Sequence, residues 1–243
     1  KGQDDIWRFY MPDLVFALQG NVYDKQTGLP IQGAKVSVVG TNGSNFSALT
    51  DENGGFAFVE SGKDRYIKEE TSYSILAEKE GYLVVKDQIT TVGLKESTTF
   101  VKEYFLEPTK GPIVLPQILY DVDKFFLRPE SQDSLETLYN TLVDNPNIVI
   151  ELRSHTDARQ TRTYKGGNKE LSQLRAQSCV NYLIEKGIDP ARMVPVGMGP
   201  DEPVIAMDLI KKMPTKEEQE AAHQKNRRTD FKVLRTDYVP KAN

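Results

Sequence analysis

Asp157 and Arg175 carry opposite charges within one stretch whose texture passes from strand to helix. Ile148-Val149-Ile150-Glu151-Leu152-Arg153 reads as a strand, Ser154-His155-Thr156-Asp157 follows its end, and Asn168 to Lys186 reads as a helix. A carboxylate at the strand end and a guanidinium about two helical turns further on can face one pocket. Such a pair offers the carboxylate to an ammonium and the guanidinium to a carboxylate, so the ligand it suits is an amino-acid zwitterion. The planar fork of arginine grips a carboxylate through two parallel hydrogen bonds, which lysine cannot do. The same spacing also fits an internal Asp157–Arg175 salt bridge beneath a solvated loop, and spacing alone favours that plainer arrangement.

Other chemistry is thinly represented. The chain has one cysteine and two histidines. Cys179 lies among Val180, Leu183 and Ile184 with no histidine nearby, and reads as a small buried hydrophobe rather than a nucleophile. His223, within Ala-Ala-His-Gln-Lys, reads as a solvated helix residue, and His155 as a packing residue beside the pocket. Neither the clustered ligands of a zinc centre nor a nucleophile–base pair is evident. The reading therefore assigns no catalytic residue, no metal ligand and no cofactor. A hydrolase with Asp157 or His155 as base is the weaker competitor.

The 243 residues suffice for two domains of ordinary size. With 38% hydrophobic and 27% charged residues, the composition is that of a globular chain. A formal charge of -4 argues against a nucleic-acid partner. No apolar run approaches the roughly 20 residues of a transmembrane helix. Lys1 is followed by no signal-peptide pattern, so the sequence is read as a mature piece whose export signal or lipid anchor lies outside it.

The helices and strands that must position Asp157 and Arg175 fall in the second half. Residues 1–12 are short and aromatic and read as the tail of a preceding domain or a linker, possessing too few residues for a core. Residues 13–108 read as an all-β sandwich: strands around Val15–Tyr23, Ala34–Val39, Phe56–Val59, Tyr73–Ala77, Tyr82–Val85 and Tyr104–Leu106 are separated by Asx- and Gly-rich turns at Asp24–Gly28 and Asp51–Gly55. Residues 109–112, with Pro108 before and Gly111-Pro112 within, form a linker. From 113 to 238 the pattern is β-α-β-α-β, an α/β sandwich with helices on a mixed sheet. Its elements are a strand at Ile118–Tyr120, a helix from Pro129 to Asn145 with Leu135, Leu138, Tyr139, Leu142 and Val143 on one stripe, and the strand and helix named above. A strand at Met193–Val196, a polar helical segment at Lys211–Gln224 and a strand at Thr229–Leu234 complete it.

Several separated motifs of this half carry a resemblance. His155-Thr156-Asp157, then Asn168-x-x-Leu171-Ser172-x-x-Arg175-Ala176, then Gly197-x-Gly199 and Asn226-Arg227-Arg228, with Tyr120-Asp121-Val122-Asp123-Lys124 ahead of them, resemble the OmpA C-terminal family of peptidoglycan-binding domains. The resemblance implies a non-enzymatic grip on the diaminopimelate of the stem peptide. Motif by motif, it implies that Asp157 takes the ammonium and Arg175 the side-chain carboxylate, with Asp123, Thr156, Asn168 and Arg227 completing the pocket. It further implies a periplasmic, outer-membrane-associated cell-wall anchor. One departure stands out: where the family commonly places glycine soon after the His-Thr-Asp motif, Ala158 to Gly167 form a longer basic insert. The insert reads as a solvated loop or as a contact to the glycan or its carboxylates.

The first half is similar to carboxypeptidase-regulatory-like (transthyretin-like) sandwiches, through Gly20–Asp24, Thr27–Ala34, Thr50–Phe56 and Ala77–Tyr82. These are turn and core residues, and the resemblance implies no peptidase. Gly2–Trp7 is similar to the closing strand of a β-propeller repeat. That order of parts resembles multidomain envelope proteins of Bacteroidota, including a component of type IX secretion, which implies other envelope or secretion-system subunits as partners. The alternative function is a protein-interaction scaffold whose sandwich docks such a subunit.

Overall fold

Alternation of more and less buried side chains along most strands builds the first half of the chain, and helical stripes packed with a sheet build the second. The computed structural model of the protein describes residues 13–59, 65–116, 118, 120, 124–161 and 163–240. Lys1–Pro12, Asp123 and Arg162 lie outside these residues, and so do the expectations attached to them. The chain divides between Pro108 and Thr109 into two compact units.

Among the described residues, the first unit has seven strands: β1 (Phe16–Asp24), β2 (Lys35–Gly40), β3 (Asn45–Leu49), β4 (Gly55–Phe58), β5 (Ser72–Glu78), β6 (Val85–Thr90) and β7 (Thr98–Leu106). They form two sheets, β4-β1-β7 and β3-β2-β5-β6. Leu18, Val22, Phe58, Tyr104 and Leu106 from the first sheet share one buried cluster with Val36, Val38, Tyr73, Ile75 and Ala77 from the second. Apolar burial of this kind is the main term holding such sheets together. The Asp24 and Asp51 turns form as their residue types demand, each aspartate accepting backbone N–H groups two to four residues on. Three features differ from expectation by more than a residue. Strand β7 begins at Thr98, well before the expected Tyr104, because it pairs along the whole of β1. Strand β6 starts at Val85 because Leu83 donates its N–H to Glu107 O instead. Strand β3, absent from the sequence reading, pairs along β2 from Leu49 to Asn45.

The second unit contains β8 (Ile113–Leu115), α1 (Gln132–Asp144), β9 (Val149–His155), α2 (Gly167–Glu185), β10 (Met193–Gly199), α3 (Met207–Ile210), α4 (Lys216–Asn226) and β11 (Thr229–Arg235). Its sheet runs β10-β9-β11-β8, with β10 parallel to β9 and β11 antiparallel to both β9 and β8. The first strand is a correction: it is Ile113–Leu115, whereas Tyr120 only bridges Leu127. The predicted polar helix is also redistributed, into the short α3 and the longer α4. Thr215 and Glu218 cap α4 reciprocally, each side chain bonding the other's backbone N–H.

Parallel strands β9 and β10 require a crossover, and α2 supplies it. Leu171, Ala176, Cys179, Val180 and Leu183 are its buried stripe. The helix ends where the sequence places Gly187: its φ of 101° lets its N–H reach Ile184 O while Ile188 N–H reaches Leu183 O. This frame places the C-terminal end of β9 beside the N-terminal half of α2.

Candidate binding site

An open cavity of ≈ 440 Å³ lies at that junction. Thr156, Asp157, Asn168, Arg175 and Arg227 all line it, so five of the six residues singled out in sequence come together and the sixth, Asp123, lies outside the described residues. Arg159, Glu220 and Gln224 line it as well and were not anticipated. Glu220, Gln224 and Arg227 recur at i, i+4 and i+7, which puts them on one face of α4 and its cap. That spacing is the signal by which Glu220 and Gln224 could have been found.

Asp157 is the electrostatic centre. Its Oδ1 accepts the Arg159 backbone N–H at 2.9 Å, and its Oδ2 accepts Arg159 Nη2 at 2.6 Å and Arg227 Nη1 at 2.5 Å. Arg159 Nε lies 3.2 and 3.1 Å from the two oxygens. Both arginines also reach Glu220, at 2.7 Å from Arg159 and 2.8 Å from Arg227, and Arg227 donates to Gln224 Oε1. The internal Asp157–Arg175 pairing considered from spacing is replaced by this Asp157–Arg159–Glu220–Arg227 ring. Burial works against ionised Asp157, but hydrogen bonds from Arg159 and Arg227 outweigh it and hold its carboxyl at about 2.

A depressed carboxyl stabilises the fold above the unfolded-state value of about 3.9, and that contribution fades as the pH falls through the folded value. The Asp157→Asn chain is therefore expected to have a lower urea midpoint than the parent at pH 7, with the gap closing between about pH 4 and about pH 2. A gap that stays constant across a pH series of urea titrations would contradict this electrostatic account.

Arg175 is buried in the wall of α2. Its Nε donates to Lys124 O at 3.0 Å and its guanidinium lies 4.6 Å over the Tyr120 ring. The Tyr120 hydroxyl in turn contacts Arg175 O at 3.2 Å and Cys179 Sγ at 3.1 Å. Burial pushes the Cys179 thiol up to about 12, so it is an uncharged packing group, as its neighbours suggested. Asn168 Nδ2 donates to Asp157 O and Arg159 O, so its amide organises the loop around the carboxylate. Thr156 Oγ1 is buried at the cavity with no hydrogen-bond partner among the described residues.

The histidines differ from one another and, in one case, from expectation. His155 Nε2 stands 3.0 Å from Asp230 Oδ2, and the ring lines a smaller recess with Tyr120, Arg175 and Arg227. His223 is not solvated: it is 7% exposed, with Nδ1 4.0 Å from Asp157 Oδ2. The polarity of its neighbours hid the fact that its side chain turns toward Asp157. Among the described residues, no group of three or more His, Cys, Asp or Glu is placed to hold a metal, and no helix is long and apolar enough to cross a membrane.

Comparison with known proteins bears on this half of the chain. Residues 119–216 match the model of the OmpA family. Outer membrane protein A of Shimwellia blattae is 35% identical over 98 residues, a match taking in 40% of this chain and 39% of that protein. Among solved structures, the peptidoglycan-associated lipoprotein of Burkholderia pseudomallei is 25% identical, covering 51% of this chain and 91% of that one, with a TM-score of 0.38. A MotB-like protein of Desulfovibrio vulgaris is 24% identical, covering 51% and 73%, with a TM-score of 0.42. The chain thus contains an OmpA-like region, and it spans well under half of the outer membrane protein it matches.

Proposed function

We propose that the second unit, residues 113–238, is a non-enzymatic peptidoglycan-binding domain that grips the diaminopimelate of the stem peptide. The observation that carries this reading is one cavity walled by both a carboxylate, Asp157, and a buried guanidinium, Arg175, two residues of the OmpA-like region. Arg175, braced against Tyr120, takes the side-chain carboxylate of the ligand bidentately, and Asp157 takes its ammonium. The unpartnered Thr156 hydroxyl supplies a further hydrogen bond, and Arg227 supplies positive charge at the rim. A lysine-type stem would leave Arg175 without its anion, at a cost of about 1–3 kcal/mol.

Such a domain anchors a periplasmic, outer-membrane-associated assembly to the wall. Its transthyretin-like first unit, residues 13–108, is the part suited to docking other subunits, those of a type IX secretion system being the class the domain order suggests. The test is co-sedimentation of the whole chain with diaminopimelate-type sacculi. Asp157→Ala and Arg175→Ala are each expected to weaken binding at least tenfold, about 1.4 kcal/mol. Undiminished co-sedimentation of both variants would sink the assignment, and release of soluble muropeptides by the parent chain would revive a hydrolase.

A further inference from the structure

The basic insert between the Asp157 motif and α2 contributes Arg159 to the lining of the cavity, against Asp157. A carboxylate offers about four lone-pair sites. Those of Asp157 meet the Arg159 backbone N–H, Arg159 Nε and Nη2, and Arg227 Nη1. Its capacity is filled from within the chain, and an incoming ammonium has no vacant acceptor on Asp157.

The two arginines are not equally free to leave. Arg227 sits at the C-cap of α4, 26% exposed, and is tied to Gln224 and Glu220 of the same helix. Arg159 belongs to the loop, and its side chain is 49% exposed. It also has a second anion already in hand, since its Nη1 lies 2.7 Å from Glu220 Oε2. Rotation of the guanidinium toward Glu220 would vacate the Asp157 acceptor sites held by Arg159 Nε and Nη2 while keeping Arg159 paired, so the exchange does not strand a charge.

We propose that Arg159 is a built-in competitor for the ammonium of the ligand, a latch on Asp157 that must swing to Glu220 before the cavity accepts a zwitterion. This rests on the peptide-binding reading above and deepens it. The latch makes Arg159 a specificity-determining residue. A ligand offering only an ammonium must displace a guanidinium that already hydrogen-bonds both carboxylate oxygens. A ligand that also brings a carboxylate to Arg175 gains a second interaction that offsets the displacement. Weak cationic ligands are thereby excluded from a site that would otherwise bind them.

The apparent affinity of a site that must open first is reduced by the fraction of time it is open. A latch closed about nine times in ten would reduce it about tenfold. The experiment is calorimetric titration of the full chain with the tripeptide L-Ala-γ-D-Glu-diaminopimelate, and with n-butylamine, which has no carboxylate, as the ammonium-only probe. Arg159→Gln is expected to bind the tripeptide about tenfold more tightly than the parent and to gain measurable n-butylamine binding, with both gains lost in Arg159→Gln/Asp157→Ala. If the parent binds the tripeptide and Arg159→Gln binds it equally or less well, Arg159 is a bystander or a ligand contact and the latch is overturned. If neither protein binds the tripeptide, the peptide-binding reading fails and the latch fails with it. A fall in the thermal midpoint of Arg159→Gln does not bear on the result, because binding is compared at a temperature where both chains are folded.

Discussion

Replacing Asp230 with alanine is expected to destabilise the second unit by about 3–5 kcal/mol, the range for removing one partner of a buried ion pair. Asp230 is fully buried as the second residue of β11. Its Oδ1 accepts Arg153 Nε at 2.6 Å, its Oδ2 lies 3.0 Å from His155 Nε2, and Arg228 Nε approaches to 3.3 Å. Burial opposes the charge on Asp230, but the close approach of His155 and the hydrogen bond from Arg153 outweigh it and keep its carboxyl below the ordinary range. The Arg153 side chain is only 2% exposed, and without Asp230 its remaining anion is Glu202, at 3.0 Å and half exposed. A buried guanidinium would then lack its close partner, which is the costly situation. Against total stabilities of about 5–15 kcal/mol, such a loss is large. Urea denaturation measures it, with Glu136→Ala as the control. Glu136 pairs with Lys186 at the surface, and that loss should stay below about 1 kcal/mol. An Asp230→Ala chain as stable as this control would mean that the network contributes nothing.

This network bears on function because β9 alternates. Arg153 and His155 point to one face and fix the strand end, and Thr156-Asp157 continue from it into the cavity. The Thr156 N–H extends the parallel ladder to Gly199 O at 2.9 Å, and the His155 N–H bonds Arg228 O at 2.8 Å. Asp157 is therefore delivered from a strand held on both sides, and Arg227 from two residues before β11, one of the strands that holds it.

How much of this was legible in the sequence depended on how local the cause was. Helices α1 and α2 announced themselves because one buried face recurs every three to four residues, although Val143, expected on that face, is 46% exposed. Strand β3 was hidden because Asn45-Phe46-Ser47-Ala48-Leu49 is half-buried at most, and its pairing with β2 rather than its own pattern makes it a strand. Ile118 and Tyr120 are apolar and aromatic enough to suggest a strand, yet both are recruited to line cavity walls, and β11 pairs with Ile113–Leu115 instead. At the site, motif types and spacing placed Thr156, Asp157, Asn168, Arg175 and Arg227 around one cavity. They could not place Arg159, since nothing in a basic loop states which anion it will fold against. His223 was misread for a related reason: its neighbours are polar, but burial of a helix face is decided by what lies opposite it.

Gly197→Ala carries the other large expected effect, because it couples packing to the proposed peptide site. A Cβ on Gly197 would lie 2.6 Å from Gln173 Cα and 2.8 Å from Lys169 O, and nearer still to Gln173 N. All three atoms are backbone of α2, so no side chain can rotate away. The strand and helix must separate, and overpacking of this kind costs about 1–3 kcal/mol. Separation also strains the bonds that stitch the two elements together, Gln173 Oε1 to Gly197 N–H at 2.7 Å and Ser172 Oγ to Gly199 N–H at 2.9 Å. The helix that has to move is the one that carries Asn168 and Arg175, so the expected result is loss of sacculus binding together with the loss of stability. Leu138→Ala separates the two effects. It hollows the buried face of α1, at about 2–5 kcal/mol, and leaves the contact between α2 and β10 in place. At a temperature where both variants remain folded, Leu138→Ala should co-sediment with sacculi like the parent and Gly197→Ala should not. Equal loss in both would mean that binding follows global stability and not the seating of α2 on β10.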